Sequence, residues 1–318
     1  MKVELTKKEF NDILGNYDVG KYSRSKYFLT GDNTVYKVVT SKGEFILKIY
    51  QKAGEKFVNY QIKLMEFLSR SRVSTPKIID TKKGEGLLMW KGQRIALQEF
   101  ARGKERELVN ERLAKDMGKK LGVLAKTLEG FRDRVDGGYP KEHEFKLVKW
   151  KKSRLFGYDL GAESSRLLKD IGKLDKSKLK KSLIHGDICE GNFLVEKDKV
   201  SAIIDWDDAH EDFRVYEVAV TIANNFTMQR GVKRKCIRIF FKEYLKYVRL
   251  NNEEKKALYY FVKRSSLAGA TWCYDWYLRH PKNKKKERKQ TLKWTKVCLN
   301  KYFSFDKVSL DEWMGFFG

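Results

Sequence analysis

At 318 residues the chain is long enough for one large unit or two lobes, each with a core of its own. Its content of 42% hydrophobic and 13% aromatic residues is that of a globular protein and excludes a disordered one. Lys and Arg outnumber Asp and Glu by 68 to 42, and this net charge of +26 surrounds any partner with positive potential, which leaves nucleic acid open as a partner.

The first hundred residues read as strand-rich. Arg24–Leu29, Thr34–Thr40 and Glu44–Tyr50 are three predicted strands, separated by the turn chemistry of Gly31-Asp32-Asn33 and Ser41-Lys42-Gly43. Within the third, Phe45, Leu47 and Ile49 point one way and Ile46, Lys48 and Tyr50 the other, so an ammonium stands in the middle of an apolar strand and calls for an anionic partner. Phe57, Gln61, Leu64, Met65 and Leu68 follow helical spacing, with Pro76 beyond the end of that helix. Leu87–Trp90 and Arg94–Phe100 form a further hairpin turning at Lys91-Gly92-Gln93, and Ala101–Lys104 reads as a linker.

The remainder reads as mainly helical. Leu113, Met117, Leu121, Leu124 and Leu128 make one amphipathic stripe, and Tyr216–Gln229, Lys233–Val248 and Glu253–Leu278 are later helices. The division predicts an α+β molecule with two lobes, residues 1–100 small and β-rich, 101–318 larger and helical. The lysines are spread along the chain, so the charge reads first as composition; Lys282–Lys289 is the one concentrated basic run and reads as a solvated loop. Cys189, Cys236, Cys273 and Cys298 lie far apart without a CxxC pair, as expected of reduced thiols. The charged start of the chain and the lack of any apolar run near the ~20 residues needed to span a bilayer predict a soluble cytoplasmic protein with no membrane contact.

One compact β segment lies among the helices. Leu183–Val195 and Val200–Ile204 flank the polar turn Glu196–Lys199 and run into Asp205-Trp206-Asp207-Asp208. A hairpin centred between Asp198 and Lys199 sets Asn192 opposite Asp205 at its open end, about 5 Å apart between Cα atoms. An amide and a carboxylate at that spacing can share a hard cation such as Mg²⁺, and Asp187 enters the same open end from five residues earlier. Three oxygen-bearing side chains thus converge, a set suited to phosphoryl transfer.

The string "LIHGDICEGNFLV…AIIDWDDA" resembles the signature of the aminoglycoside phosphotransferase and choline kinase superfamily, which shares the protein-kinase fold. That resemblance implies Asp187 as catalytic base, Asn192 and Asp205 as metal ligands, and His185 as a brace for the loop. "GDNTVYKVVTSKGEFILKIY" is similar to the family's first hairpin, which implies Lys48 on the α- and β-phosphates of ATP or GTP, paired with Glu66 in "KLMEFL" or with its rival Glu55. Gly31 and Asn33 stand where a phosphate-covering turn belongs, and Glu99 and Ala101 at the hinge that would hold the base. Glu217 takes the position of the family's bracing aspartate; Asp207 and Asp208 are open between binding and solvation. The N-terminal half looks most like the homoserine kinase branch, which makes a small alcohol the expected acceptor. Trp272, Tyr274, Trp276 and Tyr277 read as core packing in preference to a cage for a quaternary ammonium. A silent kinase-fold scaffold, a basic nucleic-acid-binding protein and a protein Ser/Thr kinase are the competing readings; no recognised RNA- or DNA-binding motif is present.

Overall fold

The computed structural model describes residues 3–28, 33–51, 53–105, 109–133, 154–280 and 285–317. The chain opens with α1 (Lys7–Leu14), which the helical spacing of later segments gave no reason to expect. Thr6 and Glu9 close a capping box at its start, and Phe10, Ile13 and Leu14 make its buried stripe. An antiparallel sheet follows: β1 (Tyr22–Phe28), β2 (Thr34–Thr40), β3 (Gly43–Tyr50), then α2 (Glu55–Ser69), β4 (Ile78–Ile79), β5 (Leu88–Trp90) and β6 (Gln93–Glu99). Its order is β1-β2-β3-β6-β4, with β5 also on β6. Trp90 pairs with Gln93, so the β5–β6 turn is only Lys91-Gly92, both at positive φ, and Gln93 belongs to the strand.

Alternation along β3 sends its two faces to different places. Leu47 and Ile49 enter a core closed by α1, while Tyr50 joins Val58 and Ile62 of α2 and Ala96 of β6 on the other face. Lys48 lies on the α2 side. Leu64, Met65 and Leu68, further along α2, belong instead to the large core of the helical part. One helix therefore plugs into both cores.

The helical part comprises α3 (Glu111–Leu128), α4 (Leu160–Gly172), α5 (Arg214–Asn225), α6 (Arg234–Tyr244), α7 (Asn252–Arg279), α8 (Lys285–Asp306) and α9 (Leu310–Met314). Of the short strands set among them, four bear on the site: β7 (Lys181–Ile184), β8 (Phe193–Glu196), β9 (Lys199–Ile203) and β10 (His210–Phe213). β8 pairs with β9 and β10 with β7, both antiparallel. The described end of the basic run is no loop, since Lys285–Lys289 forms the first turn and more of α8; residues 282–284 lie outside the described residues.

Register in the β8–β9 hairpin departs from the sequence expectation. Lys197 and Asp198, both at positive φ, make a two-residue turn that pairs Glu196 with Lys199, and an irregularity at Ser201 then shifts the ladder by one. Phe193 consequently faces Ile203, and Asn192 O accepts from Ile204 N (3.0 Å). Asp205 stands one residue beyond the ladder and not opposite Asn192.

Candidate active site

Asp187 sits on the loop between β7 and β8, and the bonds of its neighbours fix that loop. His185 is fully buried; its Nε2 lies 3.0 Å from the Ile204 carbonyl, and its Nδ1 accepts from the Asp187 N–H at 3.3 Å. Those two bonds require the Nε2–H tautomer, and burial pushes the imidazole down to about 4. A neutral ring with both nitrogens committed braces the loop and leaves no proton to exchange. Gly186 has φ 81°, and a Cβ there would lie 2.8 Å from the His210 ring. Its N–H donates to Glu217 Oε2 (3.0 Å), so a buried carboxyl of α5 holds the turn from beneath. Burial pushes Glu217 up to about 7, opposed by the N–H bonds of Gly186 and His185.

Asn192 Nδ2 donates to both the main-chain oxygen (2.8 Å) and Oδ2 (2.9 Å) of Asp187. Burial, then the charges of Asp208 and Asp205, push the Asp187 carboxyl up to about 7, with the Asn192 bond opposing. With Nδ2 spent in this way, Asn192 keeps its Oδ1 as an acceptor. Asp205 has φ 64°, a left-handed backbone that turns the chain out of β9 and leaves its side chain about half exposed, at 56%. Trp206 then anchors the segment: it is buried, donates from Nε1 to Thr75 Oγ1 (3.0 Å), and packs on the His185 ring. An amide oxygen and a carboxylate are the hard donors that suit Mg²⁺. Among the described residues no three His, Cys, Asp or Glu side chains form a closed metal cage. A cation here would complete its shell from phosphate oxygens and water.

Lys48 is buried at 8% exposure, and its ion-pair partners among the described residues are Asp207 and, at 4.0 Å, Asp205. Burial alone would push the ammonium toward neutrality, but Asp207, Tyr50 and Asp205 hold it above the ordinary lysine value. The expected pairing with the following helix takes a different form. Glu66 is not among the ion-pair partners of Lys48 and lies against Gly86, where a Cβ would meet its Oε1 at 2.8 Å, and Glu55 bonds Arg94 at 3.4 Å. The α2 residue facing the lysine's partner is Gln61, whose Nε2 donates to Asp207 Oδ1 (3.3 Å). Asn33 Nδ2 reaches the same carboxylate at Oδ2 (2.7 Å), while Gly31 lies outside the described residues. Glu99 ends β6 and bonds Lys77, and Ala101 lies two residues on; Gln98, one residue before, lines a small cavity together with Lys48 and Gln61.

On the other side of Asp187 opens a cavity of about 1140 Å³. Acidic groups on β10 and the turn before it (Asp208, Glu211, Asp212) and basic groups on α7 and α8 (Arg264, Lys301) share its walls. Trp272 lines it and is half exposed, and Tyr274, Trp276 and Tyr277 are only partly buried, so this cluster is not core. Cys189 also faces the cavity, its thiol pushed up to about 12 by burial and the Asp187 charge. Sequence reasoning passed over Gln61, although an amide within an apolar stripe was the signal. It left Asp207 undecided and did not find Arg264.

A model of the phosphotransferase enzyme family matches residues 30–249. The homoserine kinase of Zymomonas mobilis is 23% identical over 276 residues, covering 84% of this chain and 86% of that protein. The homoserine kinase of Agrobacterium fabrum is 27% identical over 232 residues, 69% of each. Among solved structures, an amicoumacin kinase in complex with AMP-PNP and Ca²⁺ superposes with a TM-score of 0.70 at 15% identity, covering 96% of this chain and 95% of that one. A microcompartment-associated aminopropanol kinase gives 0.70 at 16% identity, with 95% and 98% covered. These structures share the fold, an N-terminal antiparallel sheet followed by a helical part.

Proposed function

Since the chain belongs to the phosphotransferase enzyme family and is a small-molecule kinase, we propose that it carries the γ-phosphate of ATP to the hydroxyl of a small amine-bearing metabolite, homoserine being the first candidate. GTP is the competing donor, and amino alcohols and sugars are the competing acceptors. The observation that carries this reading is Asp187, fixed by Asn192 and lining the large cavity. A carboxylate titrating near neutrality is suited to take a proton from an acceptor hydroxyl at physiological pH. Asn192 and Asp205 would hold Mg²⁺, which when bound neutralises phosphate charge. Lys48 would contact the phosphates, and the chain at Glu99 and Ala101 the base.

The mixed acidic and basic walls favour an acceptor that carries an ammonium beside its hydroxyl and an anionic group at its far end. The curated relatives named above are homoserine kinases, which supports the same class. A hinge between the two lobes near residue 100 is supported by Lys104, which already pairs with Val195 of the helical part. The test is Mg²⁺-dependent transfer from labelled ATP, then GTP, to homoserine, choline, ethanolamine, methylthioribose, sugars and an aminoglycoside. Labelled phosphohomoserine, absent with Asp187→Asn, is the expected result. Transfer only to an aminoglycoside or a sugar would overturn the acceptor class, and Mg-nucleotide binding that never appears would overturn the kinase reading.

A further inference from the structure

A buried ammonium needs an anion within reach, and the element that supplies it decides when the lysine is in place. For Lys48 the neighbouring helix supplies none: the α2 side chains in its small cavity are Gln61 and Met65, both neutral, and Gln61 is 3% exposed with Oε1 lacking a hydrogen-bond partner. The anion comes from Asp207, after β9, in the helical part. Its carboxylate gathers donors from three separate elements of the sheet part. Lys48 of β3 and Gln61 of α2 bond Oδ1, and Asn33, just before β2, bonds Oδ2. The alternative, Asp205, is 4.0 Å from the lysine.

We propose that Asp207 is the positioning residue that seats Lys48, so that the lysine is held in place only while the sheet part is docked on the helical part. The proposal rests on the reading of Lys48 as the phosphate-contacting residue. A triphosphate entering the cleft then meets a lysine whose stem is already fixed, and separation of the two parts removes anion, amide and turn together. Nothing in α2 would keep the lysine aimed in the open form.

Two readouts test this on the full chain. The first needs no nucleotide: the rate at which an amine-acylating reagent modifies Lys48, followed by peptide mass spectrometry. Lys48 should be protected in the wild type and react about tenfold faster in Asp207→Asn, the scale expected when one partner of a buried ion pair is lost. The second is Mg-ATP affinity by calorimetry, expected to weaken about tenfold in the same variant. Moving the carboxylate to the helix, in the double variant Asp207→Asn with Gln61→Glu, should restore both to within about threefold of wild type.

Equal Lys48 reactivity in wild type and Asp207→Asn would overturn the proposal, as would a double variant no better than the single one. An affinity loss in Asp207→Asn that excess Mg²⁺ repairs and Gln61→Glu does not would assign Asp207 to the metal and likewise overturn it. If Asp207→Asn does not fold, Asn33→Ala carries the test. It removes one of the three bonds and keeps the ion pair, and a rise of about threefold in Lys48 reactivity is expected; no change overturns the proposal. Protection of Lys48 by Asp207 in a chain that binds no nucleotide would support the seat and defeat the kinase reading, which keeps the two apart.

Discussion

Asn192 grips Asp187 twice, through its main-chain and its side-chain oxygen, and so ties the proposed metal ligand to the proposed base. Asp187→Asn should abolish phosphate transfer, by about 10²-fold or more, because an amide cannot accept the hydroxyl proton. Nucleotide affinity should stay within about threefold, since the base acts on the acceptor side. Steady-state turnover and a nucleotide titration check both halves; near-normal turnover would mean that another group is the base.

The turn at Gly186 has no room and the wrong sign of φ for a side chain. Gly186→Ala should destabilise the fold by about 1–3 kcal/mol, combining left-handed backbone cost with the approach to His210. Denaturant unfolding reads the stability. A loss below about 0.5 kcal/mol would show that the loop relaxes around a methyl group.

Glu217 gives stability a pH dependence with a definite sign. Its carboxyl keeps a proton to about 7 in the folded chain, against an ordinary value of 4.5, with His210 opposing the shift. Between those two values the unfolded chain binds fewer protons, so this group's contribution falls as pH rises from about 4.5 to about 7 and is level above that. Glu217→Gln keeps an acceptor for the Gly186 N–H and removes the titration. The variant should match wild type near pH 5 and exceed it near pH 8 by something on the order of 2–3 kcal/mol. Urea unfolding at the two pH values decides, and parallel stabilities would refute it.

Trp272 lies on the cavity wall and takes no part in the bonds that order Asp187. Trp272→Ala should raise the acceptor KM by about tenfold while kcat moves less than about threefold, the pattern of lost uniform binding. An unchanged KM would put the acceptor elsewhere in the cavity.

How far the sequence could be read follows from how local each determinant is. The β2–β3 hairpin, the α3 stripe and the Asp187 loop are written in short-range spacing, and the structure has them where the spacing puts them. The hairpin register missed by one because a turn on Lys197-Asp198 and an irregularity at Ser201 are each a single-residue choice that alternation does not record. The family resemblance implies a counter-ion for Lys48 on α2, the next helix in sequence. Asp207 is 159 residues away, and only the packing of the two halves brings it there. Trp272 misled through composition: aromatic residues on a long helix look like core until the neighbouring wall proves to be a cavity.

The helix that plugs into both cores bears on how such a chain can be cut and recombined. Val58 and Ile62 belong with the sheet, and Leu64, Met65 and Leu68 with the helices, all within three turns of α2. A fragment ending near residue 100 would carry three large apolar side chains with nothing to cover them, and a fragment beginning there would have a matching hole. A graft of the nucleotide-binding half from a relative succeeds only if the donor's α2 presents side chains that fill the recipient's socket. The seam between the two cores in this molecule crosses α2 between Ile62 and Leu64 and does not coincide with the linker.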